Sequence, residues 1–180
     1  MVDKSSQTKT RIAVYAGSFD PVTFGHLWMI EAGSTIFDKL VVAIGTNPDK
    51  KSHFSLEDRI IMLKEATAKF SNVVVDKYPN QFLVKYAEEI GAKFILRGIR
   101  STSDYEYEKS LSYVNRNLDS GVITIFLLPP REFIEISSSV VRGLIGPAGW
   151  EEVVGKYVPS SVLARLAMEA NGIVKPELQD

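Results

Sequence analysis

The chain has 180 residues, 45% of them hydrophobic and 24% charged, which is the composition of one soluble globular domain. Its 21 basic and 22 acidic residues give a net charge of −1, so no global charge excess indicates a nucleic-acid partner. The absence of cysteine excludes disulfides, thiolate nucleophiles and cysteine-ligated zinc.

The N-terminal residues 1–10 are polar and lack the apolar core of a secretory signal, so we expect a disordered lead there. The longest apolar runs, such as Val122–Leu128, are far shorter than the ~20 residues that a membrane-spanning helix needs. With no cysteine, these features lead us to expect a cytoplasmic protein. We expect residues 11–170 to form a single domain and residues 171–180 to form a tail.

Short β-rich runs alternate with longer segments of helical period. The predicted strands are Arg11–Ala16, Leu40–Gly45, Val73–Lys77, Phe94–Leu96 and Thr124–Leu128. The predicted helices are His26–Ile36, Leu56–Phe70, Phe82–Ile90, Tyr105–Leu118 and a last helix, Ser161–Ala170. Because the strands are continuously apolar, both of their faces should be covered. We predict a doubly wound, Rossmann-like α/β domain with a five-stranded parallel sheet, plus C-terminal helices.

Three helix ends have recognisable signals. Ser55 with Asp58 three residues later resembles a capping box. Gly91 suits a left-handed residue after a helix, and Ser160 can cap the last helix.

The first strand leads into Gly17-Ser18-Phe19-Asp20-Pro21-Val22-Thr23-Phe24-Gly25-His26. Ser18 supplies a hydroxyl just past the strand, and Gly25 leaves room for a ligand. His26 is expected to begin a helix, where backbone N–H groups favour phosphate, and to donate to a phosphoryl oxygen. The alternative is an ordinary strand–turn–helix with an incidental histidine, but the ten-residue pattern favours a phosphate site.

Three further strand ends carry phosphate-binding residue types. Lys50 follows the second strand and can act as a charge clamp, although such a lysine is more often a solvated surface residue. Arg97 and Arg100 flank Gly98-Ile99 after the fourth strand and offer donors to two phosphate groups, the alternative being a salt-bridged helix start that Asp104 caps. Ser137-Ser138-Ser139 after the fifth strand offers hydroxyls and backbone donors, although one serine would satisfy a simple N-cap.

In a parallel sheet these four motifs should meet at the carboxyl edge. Ser18 has no evident Asp–His relay, and the two histidines, His26 and His53, have no spacing typical of a transition-metal site. The inventory therefore favours positioning and charge stabilisation, as in phosphoryl transfer, over covalent catalysis.

These residues resemble a known family. Thr23-x-Gly25-His26 and Ile136-Ser137-Ser138-Ser139-x-x-Arg142 are similar to the two signatures of the nucleotidyltransferase superfamily. Arg97-Gly98-Ile99-Arg100, followed by Asp104-Tyr105-Glu106-Tyr107-Glu108, resembles bacterial phosphopantetheine adenylyltransferase in particular, and the match runs from about Arg11 to about Arg142.

The resemblance implies transfer of the adenylyl group of ATP to 4'-phosphopantetheine, giving dephospho-coenzyme A and pyrophosphate by direct in-line attack. It implies catalytic roles for His26, Ser18, Lys50 and Arg97, and acceptor binding by Ser18, Lys50, Leu83 and Arg97. The residues that it implies for ATP are Ser18, Phe19, His26, Gly98, Ile99, Arg100, Glu108, Phe133, Ile134, Glu135, Ile136, Ser137, Ser138 and Ser139. It also implies Mg²⁺ on the ATP phosphates, with no protein metal ligand, a homohexamer, and feedback inhibition by coenzyme A.

The sequence departs from the family pattern at Phe24, where asparagine is common, at Glu135, where an aromatic residue is common, and after Arg142. Two alternatives stay open at this point. One is a nucleotidyltransferase that uses CTP or another phosphate acceptor, such as nicotinate mononucleotide. The other is a non-catalytic nucleotide sensor.

Overall fold

Five parallel strands form the centre of the computed structural model, which describes residues 9–46, 52–78, 80–118 and 121–172. The strands are β1 (Ile12–Gly17), β2 (Lys39–Gly45), β3 (Val73–Tyr78), β4 (Phe94–Gly98) and β5 (Ile123–Leu127). They pair in the order β3-β2-β1-β4-β5, all parallel. The chain order reverses between β1 and β4, which is where ligands bind in open sheets of this kind. The predicted doubly wound sheet is confirmed.

Both faces of the sheet are covered at its central strands, as the continuous apolar runs predict, whereas the edge strands β3 and β5 have no fully buried residue. Ala13 and Tyr15 of β1 belong to one hydrophobic cluster, whereas Val14 and Ala16 belong to a second cluster on the opposite face. The alternation follows from the period of two along a strand, which sends neighbouring side chains to opposite faces.

The described part of the chain contains eight helices, of which the last four come after the final strand. They are α1 (Phe24–Ile36), α2 (Leu56–Thr67), α3 (Leu83–Glu89), α4 (Thr102–Asn117), α5 (Arg131–Ile134), α6 (Ser138–Gly143), α7 (Trp150–Val154) and α8 (Ser160–Ala170). Gly33 lets α1 lie close to the sheet: a Cβ there would be 2.8 Å from Leu96 Cδ2 and 3.0 Å from Leu40 Cδ2. This contact fixes the height of α1, and therefore of its N-terminal residues, above the sheet edge.

Two helix starts differ from the sequence prediction. Helix α1 begins at Phe24 and not at His26, because Thr23 is its N-cap and His26 is the third helical residue. Helix α4 begins at Thr102 and not at Tyr105. Its N-cap is Ser101, whose hydroxyl accepts a hydrogen bond from the Asp104 N–H, so Asp104 is the third helical residue and not the cap. The first shift makes His26 the third residue of α1, and the second brings Asp104 into the first turn of α4.

The other caps are partly as expected. Ser55 accepts from the Asp58 N–H, and Gly91 has a left-handed backbone with φ of 72°. Ser160 is the first residue of α8 and makes no capping bond, because Pro159 occupies the N-cap position. Proline at that position has no side-chain acceptor but presets the backbone for the approach to a helix.

The segment after Arg142 is part of the hydrophobic core. Trp150, Val154, Val158 and Leu166 are buried in the same cluster as Tyr15. The Phe24 N–H also donates to the Tyr157 carbonyl at 2.8 Å, so this segment supports the start of α1. None of the helices in the described ranges has the length and apolar character needed to cross a bilayer.

Candidate nucleotide and phosphate site

Two adjoining cavities open at the carboxyl ends of β1 and β4. The first, of about 210 Å³, is lined by residues of both strand ends, including Gly17, Arg97 and Gly98. The second, of about 320 Å³, is lined mainly by hydroxyls and arginines. Both cavities include His26 and Arg100 in their walls, and together they reach the size of a small-molecule site. The predicted convergence of motifs at one sheet edge is therefore found.

His26 is held in one tautomer by the loop that precedes α1. Its Nδ1 lies 3.1 Å from the Thr23 backbone nitrogen and 3.0 Å from the Thr23 Oγ1. A backbone N–H can only donate, so Nδ1 accepts and the proton of the neutral ring is on Nε2. Burial, with a smaller contribution from Arg100, lowers the pKa of His26 to about 4. At neutral pH the side chain is therefore an uncharged N–H donor.

Phe19 lies beneath this histidine. Its side chain is fully buried, and its ring meets the His26 ring edge-on with 5.0 Å between centroids. The Tyr15 ring packs on its other side at 5.5 Å. The backbone of Phe19 has a positive φ of 47°, which is uncommon for a residue with a side chain. The Phe19 side chain therefore supports the imidazole, and the predicted contact of Phe19 with ATP stays a prediction.

Arg97 lies near the end of β4, and its guanidinium is hydrogen-bonded on two sides. Its Nε donates to Glu108 Oε2 at 2.8 Å, its Nη2 donates to Glu108 Oε1, and its Nη1 donates to the Ala16 carbonyl at 3.0 Å. Arg97 and Glu108 both line the first cavity. The structure thus pairs two residues that the resemblance assigns to different substrates.

Arg100 is tied to the first turn of α4 in a similar way. Its backbone nitrogen and its Nε donate to Asp104 Oδ2 at 3.2 and 3.0 Å. Its side chain is 43% exposed. Because it lines both cavities, Arg100 places a positive charge at the junction between them.

A buried carboxylate joins three segments of the chain at the second cavity. Asp20 accepts from the backbone N–H groups of His53 and Phe54, each at 2.8 Å. Arg142 lies 3.6 Å from the same carboxylate, donates to the Asp20 carbonyl, and donates to Ser139 Oγ at 3.3 Å. Asp20, the pair His53–Phe54 and helix α6 are therefore fixed relative to one another.

The three serines have distinct partners. Ser137 is the N-cap of α6 and accepts from the Val140 N–H at 3.2 Å, so one serine does satisfy the simple cap. Ser138 donates to the Pro21 carbonyl at 2.8 Å. All three line the second cavity, together with Ser18 and His26.

Most of the predicted site residues line the two cavities. Those that do are Ser18, His26, Arg97, Gly98, Arg100, Glu108, Phe133, Ile136, Ser137, Ser138 and Ser139. Among the others, Ile99 is buried and donates its N–H to Leu127, Ile134 and Glu135 are exposed beside the site, and Leu83 packs at the start of α3. Lys50 and its motif, residues 47–51, lie outside the described residues.

Several cavity residues were not predicted. Tyr15 and Met29 belong to the buried faces of β1 and α1, and their sequence pattern is that of ordinary core residues. Ser52 follows the lysine motif. Asp104, which the sequence predicts only as a cap, lines the first cavity, and Asp20 lines the second. The position of Tyr15, two residues before the end of a central strand, is the signal that could have found it. Burial raises the pKa of its hydroxyl to about 12, so it stays protonated at neutral pH.

The described residues contain no group of three or more histidine, aspartate or glutamate side chains arranged to hold a metal ion. Asp20 is the carboxylate at the second cavity, and its oxygens are already engaged by two backbone N–H groups. The donors that remain around that cavity are mainly hydroxyls and arginines, which suit a phosphate.

Comparison with known proteins agrees with this geometry. The profile of the cytidylyltransferase-like family matches residues 14–144. The chain is 54% identical over 154 residues to a phosphopantetheine adenylyltransferase of Chromobacterium violaceum, covering 86% of this chain and 94% of that protein. It is 43% identical over 156 residues to one of Caldanaerobacter subterraneus, covering 87% and 95%.

A solved structure shows the same fold at low identity. The nicotinic acid mononucleotide adenylyltransferase of Plasmodium falciparum, complexed with NaAD, superposes with a TM-score of 0.65 at 16% identity, covering 91% of this chain and 97% of that one. At this identity the likeness concerns the fold alone. The two relatives at 54% and 43% identity, each matched over nearly its whole length, show that the chain belongs to the phosphopantetheine adenylyltransferase family.

Proposed function

We propose that this protein transfers the adenylyl group of ATP to 4'-phosphopantetheine, giving dephospho-coenzyme A and pyrophosphate. In the reaction, an oxygen of the acceptor phosphate forms a bond to the α-phosphorus of ATP. The bond from that phosphorus to the oxygen bridging the α- and β-phosphates breaks, and pyrophosphate leaves with the bonding electrons. No covalent enzyme intermediate is needed, because the acceptor phosphate is itself the nucleophile.

The observation that carries this proposal is the meeting of His26, Arg97 and Arg100 in one cavity at the junction of β1 and β4. A neutral N–H donor beside two fixed guanidinium groups can stabilise the negative charge that builds up on the phosphoryl oxygens. The same groups hold both reactants in position, which supplies a large share of the rate in phosphoryl transfer.

The roles follow the family resemblance, adjusted by the geometry. Ser18 and His26 would hold the α-phosphate, and Arg97, with Lys50, would hold the acceptor phosphate. Arg100 and the three serines of residues 137–139 would hold the remaining phosphates of ATP, since all four line the second cavity. Leu83 would contact the pantetheine arm, on the side of the sheet where α3 lies.

Mg²⁺ would arrive on the phosphates of ATP and not on a protein cluster. Magnesium is commonly held by substrate phosphates and water with few protein ligands. When bound, it would neutralise part of the triphosphate charge. We expect turnover to fall to background with excess EDTA and to return when Mg²⁺ is added; full turnover in EDTA would remove the metal from the proposal.

The test of the reaction is a pyrophosphate-release assay with ATP and four acceptors: 4'-phosphopantetheine, nicotinate mononucleotide, FMN and glycerol phosphate. A parallel set replaces ATP by CTP. We expect release only with ATP and 4'-phosphopantetheine, and dephospho-coenzyme A as the second product. Release only with nicotinate mononucleotide would overturn the acceptor, and ATP binding without release for any acceptor would indicate a sensor.

The proposal extends to assembly, regulation and location. Helix α4 and the neighbouring edge strand β5 expose large apolar side chains, among them Tyr107, Tyr113 and Ile123. These side chains would be covered in the homohexamer that the resemblance implies. Coenzyme A, which contains the phosphopantetheine arm, would compete at the acceptor site, and the protein would act in the cytoplasm. Sedimentation and inhibition assays with coenzyme A measure the first two points.

A further inference from the structure

The guanidinium of Arg97 is held in place mainly by one carboxylate. Glu108 receives two hydrogen bonds from it, one from Nε at 2.8 Å and one from Nη2, in the bidentate arrangement typical of strong arginine–carboxylate pairs. Both side chains are largely buried, with 25% of Arg97 and 10% of Glu108 exposed. A pair with this geometry and burial has little freedom to rearrange.

The pairing leaves donors for a ligand. An arginine has five N–H groups, and three of those of Arg97 go to Glu108 and to the Ala16 carbonyl. Two N–H groups on the Nη atoms are therefore without a partner among the residues that the structure describes. Since Arg97 lines the first cavity, these two groups are available to phosphate oxygens there.

Glu108 is one of two carboxylates that α4 presents to the arginines. Asp104 and Glu108 are four residues apart, so they lie on the same face of the helix, and both line the first cavity. Asp104 pairs with Arg100, and Glu108 pairs with Arg97. One face of α4 thus orients both arginines of the Arg97–Arg100 segment.

We propose that Glu108 is a positioning residue for the acceptor phosphate, acting through Arg97. The inference rests on the proposed function, because it assumes that Arg97 binds the phosphate of 4'-phosphopantetheine. Glu108 fixes the plane of the guanidinium, so that its two remaining N–H groups stand ready before the acceptor arrives. The conformational entropy of this arginine is then lost during folding, so its ordering does not weaken the affinity for the acceptor.

The test is the variant Glu108→Gln, assayed for pyrophosphate release while each substrate is varied separately. The amide has one oxygen and one NH₂ group, so it cannot accept both bonds from Arg97. We expect KM for 4'-phosphopantetheine to rise at least about tenfold, comparable to losing one hydrogen bond to a charged group. Glu106→Gln is the matched control, because Glu106 is an exposed residue of α4 paired with Lys109.

A double-mutant cycle separates positioning from general damage. If Glu108 acts through Arg97, Glu108→Gln has no further effect on acceptor KM once Arg97 has been changed to alanine. If Glu108→Gln does not fold, as judged by thermal unfolding, Glu108→Asp keeps the charge but shortens the reach, and a smaller rise in acceptor KM is expected.

Either of two results would overturn the inference: a rise confined to the ATP KM, or additive effects of the Glu108 and Arg97 changes. The wild-type assay distinguishes a failure of the proposed function from a failure of the inference about Glu108. A wild-type enzyme that releases no pyrophosphate with 4'-phosphopantetheine ends the proposed function and this inference with it. A wild-type enzyme that turns over normally, with an unchanged acceptor KM in Glu108→Gln, ends only the inference.

Discussion

Replacing His26 by alanine removes one neutral hydrogen-bond donor from the site, and the structure allows the cost to be worked out. The Thr23 N–H, 3.1 Å from Nδ1, fixes the donor on Nε2, and the lowered pKa of about 4 keeps the ring uncharged. Removing one donor to a developing oxyanion costs about 2.7–4 kcal/mol. We therefore expect kcat to fall about 100- to 1,000-fold. Affinity for ATP should change little, because the interaction strengthens mainly in the transition state.

The pH dependence gives a second signature of the same residue. With a pKa of about 4, His26 is neutral throughout pH 6–9, so it should contribute no step to the kcat profile in that range. Stability behaves differently. The unfolded chain binds this proton near pH ~6.5 and the folded protein only near pH 4, so the free energy of unfolding falls as pH drops between these values. The total loss is at most ~3 kcal/mol, reduced by water in the cavity.

Stopped-flow pyrophosphate release gives kcat, and calorimetry gives the ATP affinity of the same variant. His53→Ala is the matched control, since the other histidine of the chain pairs with Glu169 at 3.1 Å and lines neither cavity. Wild-type-like turnover in His26→Ala, or a kcat step near pH 6.5 that disappears with His26, would refute the argument for a neutral donor.

Two further substitutions test the packing that positions the site. Asp20→Asn should lower the free energy of unfolding by about 1–3 kcal/mol, because an amide oxygen cannot serve both the His53 and the Phe54 N–H groups; an unchanged urea midpoint would contradict this. Gly33→Ala should be destabilising by up to ~2 kcal/mol, since overpacking against two buried leucines (~1–3 kcal/mol) outweighs the gain in helix propensity (~1 kcal/mol). A more stable Gly33→Ala protein in the same urea titration would mean that α1 can move away from the sheet.

The sheet could be predicted from the sequence because the strands at its centre, β1 and β2, are short apolar runs covered on both faces. The runs at β1 and β2 were placed within about a residue, and their alternate side chains do enter two separate clusters. The helix starts were less predictable, since several residues compete for each cap. At α4 the sequence predicts Asp104 as the cap, and the structure has Ser101 at that position instead. The short helices α5, α6 and α7 have too few residues to show a period.

The candidate site was predictable as a set of loops but not as a set of contacts. The position of a motif after a parallel strand places it at one edge of the sheet, and that argument brought His26 and Arg97 together correctly. The partners of the arginines depend on the rotation of α4 about its axis, which no local pattern fixes. Arg97 and Glu108 are eleven residues apart in the chain, and only their packing makes them an ion pair.

The arginines of the two cavities are paired with carboxylates of the same chain: Arg97 with Glu108, Arg100 with Asp104, and Arg142 with Asp20. Each pair fixes the direction of the guanidinium, so its remaining N–H groups need no reorganisation when phosphates enter. Each pair also cancels most of the net charge, so the attraction for a polyanion comes mainly from directed hydrogen bonds. A site of this kind can orient two phosphorylated substrates and still release pyrophosphate, which an unpaired cluster of three arginines would retain more tightly. The near-neutral charge of the whole chain is consistent with the same balance.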